Sequence, residues 1–100
     1  MNREKDKPGK TPSRQDVIFS FNAPAARTVK VLGDFNDWDG NKGVMRRNQK
    51  GIWKKTIAIE PGIYQYKFLI DGHWTNDPEC EKTVLNIYGT DNNVVSIASG

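Results

Sequence analysis

The chain is 100 residues long, with 36% hydrophobic and 27% charged residues, a size and balance that fit one globular domain with a single core. The net charge of +3 does not mark a nucleic-acid binder: the first 16 residues hold Arg3, Lys5, Lys7, Lys10 and Arg14 against Glu4, Asp6 and Asp16, which leaves the remainder close to neutral. No apolar run approaches the roughly 20 residues of a membrane span, MNREKDKPGK lacks the apolar centre of a signal peptide, and single copies of Cys80 and His73 exclude a disulfide and the usual metal or Cys-His sets; no cofactor, nucleic acid or membrane partner is expected, and the cytoplasm is the expected compartment.

Residues 1–15, rich in Lys, Pro, Gly and Ser without apolar periodicity, read as a disordered basic leader, and one domain is expected over residues 16–98. Within it, short β-prone runs alternate with Gly, Pro, Asn and Asp. Strands are predicted at residues 17–21, 28–32, 44–47, 52–59, 63–70, 83–87 and 93–97. No window sustains a period of 3.6, so helix should be slight. The pattern is that of an all-β antiparallel sandwich or barrel.

Side-chain parity assigns faces along these strands. Trp53, Ile57 and Ile59 share a face, which places Trp53 in the core or at its edge rather than at a ligand site. Lys55 shares it too and calls for a strand end or a bulge. Glu60-Pro61-Gly62 has the chemistry of a tight reversal and predicts a hairpin. Beyond it, Tyr64, Tyr66, Phe68 and Ile70 alternate with Ile63, Gln65, Lys67 and Leu69. The aromatic set should face the core, and Lys67 should point to solvent. The pairs Arg46-Arg47 and Lys54-Lys55 read as solvated strand faces, and His73 as a surface histidine.

Trp38 in GDFNDWDGNKG and Trp74 in DGHWTNDP are surrounded by loop-forming residues, and loops lie on the surface. Such a ring either packs as a lid over the sandwich or stands exposed to stack on a ligand. Two similar loop tryptophans beside an outward lysine favour stacking, with Phe35 anchoring the first loop. A pyranose has an apolar C–H face that suits an aromatic ring. Its rim of hydroxyls needs donors and acceptors, which Tyr88-Gly89-Thr90-Asp91-Asn92-Asn93 supplies just before the last strand.

The runs VLGDFNDW, GIW, PGIYQYKFLIDGHWTNDP and YGTDNN before VVSI, in that order over residues 16–97, resemble the family 48 carbohydrate-binding modules. That family includes the glycogen-binding domain of the AMP-activated protein kinase β subunit and the N-terminal domains of glycogen branching and debranching enzymes. The resemblance implies an immunoglobulin-like, early-set sandwich that binds glycogen, starch or linear α-1,4-glucans. It places the sugar-stacking tryptophans at Trp38 and Trp74 and the polar contacts at Lys67, Thr90 and Asn92. Tyr88 stands where the kinase-type modules carry a leucine that reaches into the glucan. Tyrosine there either adds stacking area or turns inward.

Two other classes compete. Glycoside cleavage needs opposed carboxyls, whereas Asp34, Asp37 and Asp39 cluster in one loop without an opposing acid, so no catalysis is expected. Read as a calcium loop, the same cluster has Asp39 at the sixth position and Met45 at the twelfth, where Gly and Glu are needed. The second class is a docking module of the same fold for a kinase subunit or a glucan-active enzyme, with little or no sugar binding.

Overall fold

The structure is a computed structural model and describes residues 14–99. The expected leader lies outside the described residues except for Arg14 and Gln15, and Gln15 already opens the first strand. The strands are β1 (Gln15–Asn22), β2 (Val29–Gly33), β3 (Arg46–Arg47), β4 (Ile52–Ile59), β5 (Gly62–Ile70), β6 (His73–Thr75), β7 (Thr83–Leu85) and β8 (Asp91–Ile97). They form two antiparallel sheets, a three-stranded one in the order β1-β4-β3 and a five-stranded one in the order β2-β5-β8-β7 with β6 also on β5. This is the expected all-β, immunoglobulin-like sandwich. Among the described residues, two short 3-10 turns, Asp34–Asn36 and Gly40–Lys42, interrupt the β structure. Among the described residues no helix is long and apolar enough to cross a membrane.

The core follows from strand parity. Phe19, Val29, Val31, Met45, Trp53, Ile59, Tyr66 and Phe68 are buried together, with Tyr64 and Ile70 packed on the edge of the cluster. Phe35 anchors its loop as expected, stacking on Phe19 with ring centroids 5.0 Å apart. Trp53 is a core residue, 8% exposed, and its Nε1–H donates to the Ala23 carbonyl at 2.8 Å. Lys55 needs no bulge: β1 and β4 pair in unbroken register, with Lys55 opposite Phe19, and the lysine is half-buried. His73 is exposed, as expected.

Glu60-Pro61-Gly62 does not close a hairpin. β4 pairs with β1 and β3, and β5 pairs with β2, β6 and β8, so the reversal carries the chain from one sheet to the other. Turn chemistry dictates that the chain reverses. It does not dictate whether the two strands bond edge to edge or face each other across the core. Here both carry an apolar face, and placing one in each layer buries both.

The predicted strand at residues 44–47 divides between the sheets. Val31 N–H donates to Gly43 O at 2.9 Å and Met45 N–H to Val29 O at 3.0 Å, so residues 43–45 cover the free edge of β2 before β3 joins β4. A Cβ at Gly43 would lie 1.9 Å from the Val31 carbonyl oxygen, so only glycine allows this approach. Further on, β6 is a strand where a loop was expected, β7 ends at Leu85, and β8 begins at Asp91.

Asp71 ties the β5–β6 turn to the start of β2. Its Oδ1 accepts the N–H groups of Arg27 and Thr28, each at 2.8 Å. These bonds, Thr28 first, hold its carboxyl below the ordinary aspartate range. A depressed carboxylate stabilises the fold above its unfolded-state value, and the contribution disappears as pH falls through the lowered folded value. Carbon-13 titration should therefore find Asp71 the more acidic in the folded chain. Asp71→Asn should remove part of the stability lost below about pH 4; an ordinary midpoint for Asp71 would refute the assignment.

Candidate functional site

The outer face of the five-stranded sheet carries the site. On β5, Gln65, Lys67 and Leu69 point away from the core, and Leu32 of β2 stands opposite Lys67 in register. Lys67 has the predicted direction but not the predicted solvation, because it is only 7% exposed and Leu32 only 5%. The segments around residues 34–38 and 86–90 rise on this face and enclose both residues as the floor of a cleft. Lys67 Nζ donates to Thr90 Oγ1 at 3.4 Å, and among the described residues no carboxylate lies within ion-pair distance of it.

Trp38 reaches the cleft through a tightly specified turn. Asn36, 7% exposed, accepts the Gly33 N–H and donates to the Val31 carbonyl, both at 3.0 Å. Asp37 and Trp38 then take left-handed backbone angles, φ 59° and 56°. That is an unfavourable conformation for a bulky side chain, of the order of 1–3 kcal/mol, which the surrounding structure must impose. Trp38 N–H closes the turn on Gly33 O at 3.0 Å. Asp34 holds the indole, its Oδ1 accepting Trp38 Nε1–H at 3.0 Å and its Oδ2 accepting Gln65 N–H at 2.7 Å.

Trp74 lies on β6 opposite Leu69, a strand position rather than the loop expected, and is 54% exposed. Its ring centroid is 6.3 Å from that of Trp38, and the two planes meet at 62°. Behind it, the fully buried Asn93 donates to Tyr66 O at 3.0 Å, and its Oδ1 accepts Asn76 Nδ2 at 3.1 Å and Asp77 N–H at 3.2 Å. Tyr66 O–H donates to Asp77 Oδ2 at 2.7 Å. Burial first, and this carboxylate second, raise the phenol well above its usual value, so it remains a neutral donor that pins the β6–β7 loop.

The third side of the cleft is the β7–β8 connection. Tyr88 is 83% exposed, so it stands at the rim and does not turn inward. Asn92 lies within β8, opposite Val84, where a position just before the strand was expected. Trp38, Lys67, Trp74, Tyr88, Thr90 and Asn92 all line this one open cleft of about 1190 Å³. Its lining also includes Asp34, Gln65, Asn86 and the apolar Leu85 and Ile87, none of which sequence reasoning placed at the site. For Asn86 a signal was present, since asparagine at the first position of a turn with glycine at the fourth, as in Asn86-Ile87-Tyr88-Gly89, favours side-chain bonds to the following backbone.

Comparison with known proteins gives several similar chains. A 1,4-alpha-glucan branching enzyme of Synechococcus elongatus is 47% identical over 60 residues, covering 57% of this chain and 8% of the relative. A branching enzyme of Rhizobium meliloti is 43% identical over 76 residues, covering 70% of this chain and 10% of the relative. The Protein FLOURY ENDOSPERM 6, chloroplastic, of Oryza sativa subsp. japonica is 27% identical over 95 residues, covering 95% of this chain and 17% of the relative. The chain thus spans between 8% and 17% of these relatives' length. Residues 15–100 match the family described as the glycogen recognition site of AMP-activated protein kinase, and with nearly the whole domain inside that match the chain belongs to this family.

Proposed function

We propose that the cleft binds α-1,4-linked glucans such as glycogen, starch and maltooligosaccharides, and that the domain does so without catalysis. The observation that carries this reading is convergence: six residues selected from sequence, on β5, β6, β8 and two connecting segments, line a single cleft. The family, and relatives named for 1,4-alpha-glucan, support the ligand class. Ring geometry supports the linkage. A flat β-1,4 ribbon rests on coplanar aromatics, whereas Trp38 and Trp74 meet at 62° and offer a bent surface suited to a chain that curves from one sugar to the next.

The carboxylates nearest the cleft already have other partners, which supports a binding role. Asp34 holds Trp38 and Gln65, Asp37 pairs with Lys42 at 3.3 Å, and Asp39 accepts Asn41 N–H at 2.9 Å. Maltoheptaose at millimolar concentration should shift the indole N–H resonances of Trp38 and Trp74 and change tryptophan fluorescence, while cellohexaose should not. Silence with maltoheptaose would refute the reading. Affinity for the oligosaccharide should be modest, as an open cleft encloses little of its ligand, and polymeric glycogen should be retained more firmly through repeated sites.

One observation favours the docking alternative. Ile18, on the outer face of the other sheet, is 65% exposed, and Val44, on the segment that bridges to β2, is 51% exposed; both lie beside Arg46, Lys54 and Thr56. In this reading a glucan-active enzyme or kinase subunit covers that face. Charge reversal at Arg46 and Lys54 would then abolish partner binding and leave glycogen retention unchanged.

A further inference from the structure

We propose that Asn86 is the positioning residue of the cleft: it transmits the polarity of two peptide N–H groups to the polar wall, so that the wall meets sugar oxygens as a hydrogen-bond donor. The inference rests on the sugar-binding reading above.

Asn86 lies in the turn between β7 and β8 and is half-buried. Its Oδ1 accepts the N–H groups of Tyr88 at 2.9 Å and Thr90 at 3.1 Å. Its Nδ2 donates to Thr90 Oγ1 at 2.8 Å and to Asn92 Oδ1 at 2.9 Å. A peptide N–H only donates, so the atom that faces Tyr88 and Thr90 has to be the oxygen, and the other end has to be the NH2 group. The side chain therefore has one orientation, and no capacity left for a ligand beyond these four bonds.

Direction then propagates along the wall. Asn92 accepts a hydrogen bond from Asn86, so its oxygen faces Asn86 and its Nδ2 donates to Gln65 Oε1 at 3.1 Å. Gln65 is left with both N–H bonds of its amide. Thr90 Oγ1 accepts from Asn86 Nδ2 at 2.8 Å and from Lys67 Nζ at 3.4 Å, two groups that can only donate. With both lone pairs taken, the Thr90 hydroxyl proton is directed to a third partner. Lys67 keeps two further N–H bonds, and Asn92 keeps one. Gln65, Lys67, Thr90 and Asn92, all lining the cleft, thus offer mostly protons, with one lone pair left on each of Gln65 Oε1 and Asn92 Oδ1. The other acceptors stand with the tryptophans: Asp34 is bonded to Trp38, and Asn76 has its Nδ2 committed to Asp91 O and Asn93 Oδ1.

A wall of donors selects for hydroxyl oxygens that accept and direct their own protons elsewhere. In an α-1,4-glucan, a ring hydroxyl hands its proton to the neighbouring sugar and keeps lone pairs free, which is the partner this wall needs. At such a contact a fluorine, which accepts but cannot donate, substitutes for the hydroxyl better than hydrogen does. A site built around a donor loses affinity when the acceptor is deleted, because the donor is left unpaired.

Two measurements test this. Asn86→Asp preserves the oxygen that receives the Tyr88 and Thr90 amides but removes both donated bonds, and the Thr90 hydroxyl turns to the new carboxylate. Maltoheptaose affinity should fall about tenfold with the melting temperature within a few degrees of wild type. Thr90→Val, which should weaken wild type by a similar factor, should add little in the Asn86→Asp background. The second measurement needs no variant: mono-deoxy and mono-fluorodeoxy methyl maltosides are compared on wild type. At least one position should lose about fivefold or more on deoxygenation and recover most of that with fluorine. Unchanged affinity in Asn86→Asp, or fluorine no better than hydrogen at every position, overturns the proposal. A wild type indifferent to maltoheptaose overturns the sugar reading and this proposal with it, whereas a binding wild type with an equally good Asn86→Asp overturns this proposal alone.

Discussion

Truncating Trp53 to alanine should lower the unfolding free energy by about 3–5 kcal/mol, against a total of about 5–15 kcal/mol for domains of this kind. The indole is 8% exposed in the main cluster and faces Phe21 across the β1–β4 register. Its loss opens a void between the sheets. It also removes one of the two bonds at the Ala23 carbonyl, which accepts Nε1–H at 2.8 Å and keeps the Ala26 N–H at 3.1 Å, and it takes away the surface under the Arg47 guanidinium, 5.7 Å from the ring centroid. Urea denaturation followed by circular dichroism measures the loss. Glycogen retention, assayed well below the midpoint, should persist. A variant of full stability that no longer held glycogen would move Trp53 into the binding set.

Trp74→Ala should show the reverse profile, with retention on a glycogen gel lost, maltoheptaose affinity down tenfold or more, and the melting temperature barely changed. The ring is 54% exposed, and its aromatic neighbour is Trp38, met edge to face. Trp38→Ala should weaken binding to a similar degree with a larger stability cost. It removes the partner of Asp34 Oδ1 and leaves a left-handed backbone position without the packing that held it. If either variant were retained on glycogen like wild type, the stacking role would be wrong for that ring.

How much of this was legible in the sequence depended on the kind of question. Period-two alternation is local, so it identified Trp53, Tyr66 and Phe68 as core and sent Lys67 to the opposite face. Burial on that outer face is not local. Lys67 is covered because segments some thirty residues before it and some twenty after it converge there, and no reading of QYKF contains that fact. The Glu60-Pro61-Gly62 reversal shows the same limit: its residues specify a change of direction, while the partners of β4 and β5 are decided by strands far along the chain. β6 escaped notice because three residues, His73, Trp74 and Thr75, are too few to show alternation between turn-forming neighbours. The cleft residues chosen by motif did converge. Asn86, whose role lies in hydrogen bonds to its neighbours, carries no chemistry that a ligand-centred reading looks for.

The passage of the chain from β4 in one sheet to β5 in the other also bears on how the domain assembles. Gln15 pairs with Ile59, Val29 with Ile70, and Gly62 with Ile97, and across these three ladders the paired residues are 27 to 44 positions apart. Large loops must close before these contacts repay the lost chain entropy, and folding in milliseconds to seconds is expected rather than the microseconds of local topologies. During synthesis, the apolar β1 run VIFSF emerges well before its partner β4. For that interval it is an unpaired strand open to association with other chains.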